Sequence, residues 1–141
     1  MKWARKSDEL KVGEEFTPLI KKMTQEKINK YVSAAEDYNP IHVDPEFARS
    51  TPFKSTIAPG FQYIAYISEL MAREFGRGWY EGGSLDVRLR KVVKPGDMLT
   101  TKARIIEKRD QFQKKIVICD VRIVNQKGEE VVTGTTTAIC E

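Results

Sequence analysis

The stretch "STIAPGFQYIAYISELMAREFGRG", residues 55–78, decides the fold. Its Phe61, Ile64, Ala65, Ile67, Ser68 and Met71 recur at i, i+3 and i+4 spacing, which predicts an α-helix ending at Gly76. Apolar residues stand on most sides of that helix, so it must bury most of its surface rather than one narrow stripe. From Gly82 onward the period drops to two. The runs "GSLDVRLRKVV" (83–93), "MLTTKARIIEKR" (98–109), "KKIVICDVRIVN" (114–125) and "EVVTGTTTAIC" (130–140) read as strands. They are joined by "KPGD" (94–97), "RDQFQ" (109–113) and "NQKGEE" (125–130), three turn-rich segments.

Upstream of the helix, "GEEFTPLIKKMT" (13–24) supplies a short extended segment suited to a sheet edge. Thr24 then N-caps a second helix, in which Ile28, Tyr31, Val32 and Ala35 recur at helical spacing. The order is an edge strand, a short helix, a long apolar helix and an antiparallel meander. It predicts an α+β fold in which the sheet wraps the long helix, as one domain over residues 1–141.

Composition excludes several function classes. With 40% hydrophobic and 31% charged residues over 141 positions, the chain has the balance of a soluble globular domain, and no apolar run approaches membrane-spanning length. The N-terminus lacks the apolar core of a signal peptide, so the cytoplasm is the expected compartment. A formal charge of +4 is spread along the chain without aromatic interleaving, which argues against nucleic acid as a partner. Arg88, Arg90 and Lys91 are cations that could meet the phosphates of a small polyanion. Strand alternation, however, already puts Arg88 and Arg90 with Ser84 and Asp86 on a solvated face. Cys119 and Cys140 lie in apolar alternating segments without metal spacing and read as reduced thiols. Neither a glycine-rich phosphate cradle nor a metal cluster is present in the sequence, so no metal and no redox cofactor is expected.

The chemistry concentrates in "AEDYNPIHVDPEFARS", residues 35–50. An acid, an amide, a proline, the only histidine and a second acid fall within the eight positions from Asp37 to Asp44. Asn39-Pro40 stops the preceding helix, because proline disfavours helical geometry in the residue before it. Asp44-Pro45 has the form of an N-cap followed by proline at the first helical position, which accounts for Asp44 structurally. Asp37 and His42 lie five residues apart across a proline turn and can converge on one water from opposite sides. General acid-base chemistry on a bound water requires a base, an acid and a donor for the oxygen on which charge develops. The pair would supply the first two, with the division of roles open. Asn39 would fix the turn and orient the pair through side-chain hydrogen bonds. The backbone N–H of Gly60, at the start of the long helix, would serve as the oxyanion donor. Taken singly, each has an ordinary explanation: a turn acid, a surface histidine, a turn amide, a loop glycine.

The pattern as a whole resembles a known family. Residues 31–70, "YVSAAEDYNPIHVDPEFARSTPFKSTIAPGFQYIAYISEL", are similar to the hydratase signature of the MaoC-like, (R)-specific enoyl-CoA hydratases. Their core reads Asp-x-Asn-Pro-(aliphatic)-His-x-Asp and is followed by a helix opening at glycine. Here it is Asp37, Asn39, Pro40, Ile41, His42 and Asp44. "VKPGDMLTTKARIIEKRD" (93–110) resembles the family's strand-turn-strand. The resemblance implies a hot-dog fold, dimers, and Asp37 with His42 as the acid-base pair. It also implies a substrate carried as a thioester on coenzyme A or acyl carrier protein, with no resident cofactor. Two departures stand out: Glu36 where the family usually has glycine, and Pro59-Gly60 where it usually has His-Gly. An inward-pointing Glu36 would crowd the site or disfavour ionisation of Asp37.

The implied activity is (R)-specific hydration of 2-enoyl thioesters, or the reverse dehydration. The alternatives are a non-catalytic acyl-CoA-binding module or partner subunit of a heterodimeric dehydratase, and a hot-dog thioesterase. A homodimer is expected through "EGGSLDVRLR" (81–90), because an unpaired edge strand is a liability that pairing removes.

Overall fold

The apolar run at 55–78 forms a helix that starts at Gly60, and the strands downstream wrap it. The computed structural model describes residues 5–141. In chain order the elements are β1 (Leu19–Lys22), α1 (Gln25–Ala35), α2 (Pro45–Arg49), α3 (Gly60–Phe75), α4 (Arg77–Gly82), β2 (Ser84–Leu89), β3 (Met98–Gln111), β4 (Lys114–Val124) and β5 (Glu130–Cys140). Two 3-10 turns, Ser7–Glu9 and Pro40–His42, complete the set. Ile67, Leu70, Met71 and Phe75 of α3 are fully buried against Leu99, Ile105, Val117, Val121, Ile123 and Val132 of the sheet. Phe61 and Ala65 face outward, so α3 leaves one side uncovered. This is the α+β hot-dog arrangement that the sequence implied.

All five strands belong to one antiparallel sheet in the order β1-β3-β4-β5-β2. The meander expected from the sequence holds for β3, β4 and β5 only. β2 does not join β3 but crosses to pair with β5, from Ser84 opposite Thr137 to Leu89 opposite Val132. The reason lies in the connection 90–97, which is too long for a tight hairpin and is tied down elsewhere. The carbonyl of Val93, which is fully buried, accepts from Ala58 N–H at 2.8 Å, and Gly96 and Asp97 exchange backbone bonds with Met23 at 2.7 and 2.8 Å. The chain therefore passes beside the start of α3 and delivers β3 next to β1. β2 also ends at Leu89, four residues before the end of the alternating run.

The β3–β4 turn falls within the expected segment 109–113, and α4 departs from the sequence reading. The β3–β4 turn sits at Phe112 and Gln113, both with positive φ (51° and 64°), a two-residue turn without its usual Asn-Gly signal. α4 has no periodicity to announce it. Its Gly78 lies so close to β5 that an added Cβ would stand 1.8 Å from the Ile139 carbonyl oxygen. Cys119 and Cys140 are both buried and free, and burial pushes the Cys119 thiol up to about 12, so it stays protonated. Among the described residues no helix is long and apolar enough to cross a membrane.

Alanine in place of glycine normally stabilises a helix by about 1 kcal/mol. At Gly78 the opposite sign is expected. Gly78→Ala should lower stability by about 2–3 kcal/mol through overpacking against β5, read from the urea midpoint. An unchanged or raised midpoint would contradict this packing.

Candidate active site

α1 ends where the site begins. Its C-cap is Glu36, in the left-handed conformation (φ 54°, ψ 37°), whose N–H reaches the Ser33 and Val32 carbonyls. Asp37 N–H then bonds the Val32 carbonyl at 3.1 Å, which turns the chain out of the helix and aims the next residues across it. Asn39 caps the 3-10 turn Pro40–His42, its Oδ1 accepting from Ile41 N–H at 3.1 Å. The Asn39 carbonyl accepts from His42 N–H at 3.1 Å, while among the described residues its side chain makes no hydrogen bond to the Asp37 or His42 side chain, so it acts on the pair through the backbone of the turn. Asp44 caps α2, accepting from Glu46 and Phe47 N–H at 3.0 and 3.3 Å. One oxygen of its carboxylate, Oδ1, is committed to that cap.

His42 is 9% exposed, and one ring nitrogen is hydrogen-bonded. Nδ1 lies 2.7 Å from the Ile57 carbonyl oxygen. A carbonyl only accepts, so Nδ1 carries a hydrogen, and Nε2 of the neutral ring presents a lone pair. That lone pair faces Asp37 Oδ2 at 3.6 Å. The separation is too long for a hydrogen bond and short enough for one water beside the pair to reach both acceptors. The Asp37 side chain is 44% exposed against 11% for His42, so solvent reaches the pair from the Asp37 side. Grooves of about 340, 330 and 400 Å³ elsewhere on the chain are lined by neither residue.

Gly60 stands three residues beyond the carbonyl that holds His42, at the first position of α3. Ile57 N–H also bonds the Ile41 carbonyl at 3.2 Å, so the start of α3 and the Pro40–His42 turn are stitched together. Gln62 N–H bonds the Pro59 carbonyl at 3.0 Å, while no bond from Gly60 N–H is found among the described residues. Pro59 at the N-cap is compatible with this opening, since it has no N–H to leave unpaired. An added Cβ at Gly60 would meet Leu89 Cδ1 of β2 at 2.8 Å.

Sequence reasoning missed two residues beside the pair. Gln25, first in α1, donates Nε2–H to the His42 carbonyl at 2.9 Å, and Thr56, which is buried, donates its hydroxyl to Gln25 Oε1 at 2.7 Å. They lie 17 and 31 residues from their partners, beyond the reach of any local pattern. The phosphate-site candidates behave as a solvated face: Arg88 is exposed, Arg90 bonds Thr133 Oγ1 at 2.6 Å, and Lys91 pairs with Glu129 at 3.0 Å.

Comparisons with known proteins agree with the fold. The model of a family described as "MaoC like domain" matches residues 9–127. An (R)-specific enoyl-CoA hydratase of Aeromonas caviae is 32% identical over 127 residues, 89% of this chain and 91% of that one. A mitochondrial 3-hydroxyacyl-[acyl-carrier-protein] dehydratase of Arabidopsis thaliana is 29% identical over 92% of this chain and 77% of its own. Among solved structures, the unliganded R-hydratase of Pseudomonas aeruginosa superposes with a TM-score of 0.84 at 28% identity, covering 97% of this chain and 86% of that one.

Glu36 is exposed, and what its position demands is a backbone conformation that glycine adopts without strain. The departure from the usual glycine is therefore conformational and not electrostatic. Glu36→Gly is expected to stabilise the fold by about 1 kcal/mol and to leave the pH-rate profile in place. A shifted profile would place the Glu36 carboxylate within reach of Asp37 and overturn this explanation.

Proposed function

The chain belongs to the MaoC-like domain family, and from that premise we propose that it is a hydro-lyase adding water to 2-enoyl thioesters, or removing it from 3-hydroxyacyl thioesters, with (R) stereochemistry. The observation that carries the proposal is the pairing of Asp37 Oδ2 with the Nε2 lone pair of His42 at 3.6 Å, with the other ring nitrogen committed to Ile57. A water held between two acceptors donates one hydrogen to each, leaving its oxygen lone pairs free for C3 of the enoyl group. As the C3–O bond forms, the C2–C3 π electrons move toward the thioester oxygen, and the water gives up one proton to the pair. The C2–H bond then forms as the pair returns a proton, so one water is added in full and the pair is restored.

Neutral His42 holds no proton at Nε2. In that state the proton delivered to C2 is the one taken from the water. Charge accumulates meanwhile on the thioester oxygen. The Gly60 N–H, at the positive end of the 16-residue α3, suits that oxygen because it needs no reorganisation as the charge appears. The carrier is coenzyme A or acyl carrier protein, both of which occur in the names of the relatives. Its chemistry is confined to presenting the thioester. Asp37→Asn and His42→Ala should each lower turnover of crotonyl-CoA by about two orders of magnitude or more, the scale of general acid-base catalysis, with unchanged circular dichroism. A folded variant with near wild-type turnover would remove that residue from the site.

The proposal extends to a homodimer through β2. Arg90 N–H bonds the Val131 carbonyl at 2.7 Å, and a Cβ on Gly134 would strike the Asp86 carbonyl oxygen, so the even-numbered residues of this strand turn their backbone groups toward β5. Leu85, Val87 and Leu89 therefore turn theirs outward, to the open edge. Leu85 and Leu89 remain 40% and 55% exposed in one chain, beside an α3 opening that Leu89 touches, and a second copy would cover them. Val87→Pro removes an outward donor without disturbing the β5 pairing. Light scattering should find a monomer, with activity lost alongside the dimer. A fully active monomer would refute the shared wall.

A further inference from the structure

His42 is gripped at two places, and the grips are joined. Its carbonyl accepts from Gln25 Nε2, Gln25 Oε1 accepts from the Thr56 hydroxyl, and Thr56 is bonded covalently to Ile57, whose carbonyl accepts from His42 Nδ1–H. The path leaves His42 by its backbone and returns to it by its ring. No orientation of the Gln25 amide other than the observed one closes this circuit. The His42 carbonyl only accepts, so the nitrogen must point there, and its second hydrogen is taken by Asn29 Oδ1 at 2.9 Å. The amide oxygen is left for Thr56, whose side chain is buried and has Gln25 as its hydrogen-bond partner.

The circuit also reaches Asp37. Gln25 is the first residue of α1, behind the Thr24 cap, and Asp37 leaves the other end of the same helix bonded to the Val32 carbonyl. One amide thus locks the helix that presents the carboxylate to the peptide that presents the imidazole and to the extended segment that sets the imidazole's tautomer. We propose that Gln25 and Thr56 are positioning residues that hold the Nε2 lone pair of His42 on the water shared with Asp37. The proposal rests on the acid-base reading above. Neither residue touches the reacting atoms. Both act through the Ile57 carbonyl and the His42 peptide, and their removal should reduce the rate of chemistry rather than the affinity for substrate.

The chain has one histidine, so its imidazole resonances belong to His42 without further assignment. Thr56→Val keeps the side-chain volume and removes the hydroxyl, Thr56→Ser keeps the hydroxyl, and Gln25→Ala removes the whole bridge. Loss of registry should lower kcat for crotonyl-CoA by about ten- to hundredfold in Thr56→Val and Gln25→Ala, with KM within about twofold and Thr56→Ser near wild type. Over the same series the Nδ1–H proton should exchange with water at least about tenfold faster in the first two variants and remain protected in the third. Unchanged kcat in Thr56→Val overturns the proposal, and so does an equal loss in Thr56→Ser, which would mark a steric role. Wild-type protein without hydratase activity, whose Nδ1–H nonetheless loses protection in Thr56→Val, would leave the circuit standing and refute the hydration reading instead.

Discussion

The hydrogen bond from His42 Nδ1 to the Ile57 carbonyl, at 2.7 Å, is the contact on which the rest of the site depends. A main-chain carbonyl cannot donate, so it settles which ring nitrogen keeps its hydrogen and which offers a lone pair. Were the same ring to point Nδ1 at a hydroxyl, the tautomer would float and Nε2 would be a donor part of the time. With the carbonyl in place, Nε2 and the Asp37 carboxylate face each other as two acceptors 3.6 Å apart. That arrangement is unfavourable for the bare pair and favourable with a water whose two hydrogens satisfy both.

The carbonyl is available only because the chain at Ile57 is about to enter a helix from an extended approach. Residues 55–59 run beside the Pro40–His42 turn on one flank and beside Val93 on the other, bonded to Ile41 and Val93 at 3.2 and 2.8 Å. The crossing segment 90–97 thereby serves the site as much as the sheet. By docking against Ala58 and Met23 it fixes the approach to α3, and in doing so it sends β2 to β5 and leaves the outer edge of β2 open. The sheet order, the entry of the long helix and the histidine tautomer are consequences of one packing arrangement.

What was legible in the sequence was local. The Thr24 and Asp44 caps, the end of α3 at Gly76, and the approach of Asp37 to His42 across a proline turn all depend on residues within a few positions of one another. The pairing of β2 with β5 was not legible, because alternation marks a strand without naming its neighbour. Nor were Gln25 and Thr56, an ordinary helix-start amide and an ordinary loop hydroxyl until the fold brings them together. Glu36 was legible as an anomaly, but its backbone conformation was not. Its charge is visible in the sequence, whereas the positive φ of the position is visible only in the fold. α4 carried no signal, since two glycines and two aromatics in six residues have no period to detect.

Hydration by this pair is tested most directly by mixing the purified chain with crotonyl-CoA while following the conjugated enoyl absorbance and free thiol in the same sample, then determining the configuration of the product. The enoyl absorbance should fall without release of thiol, and the product should be the (R)-3-hydroxy thioester. Thiol release in place of hydration, or an enoyl signal that persists at high protein concentration, would contradict it.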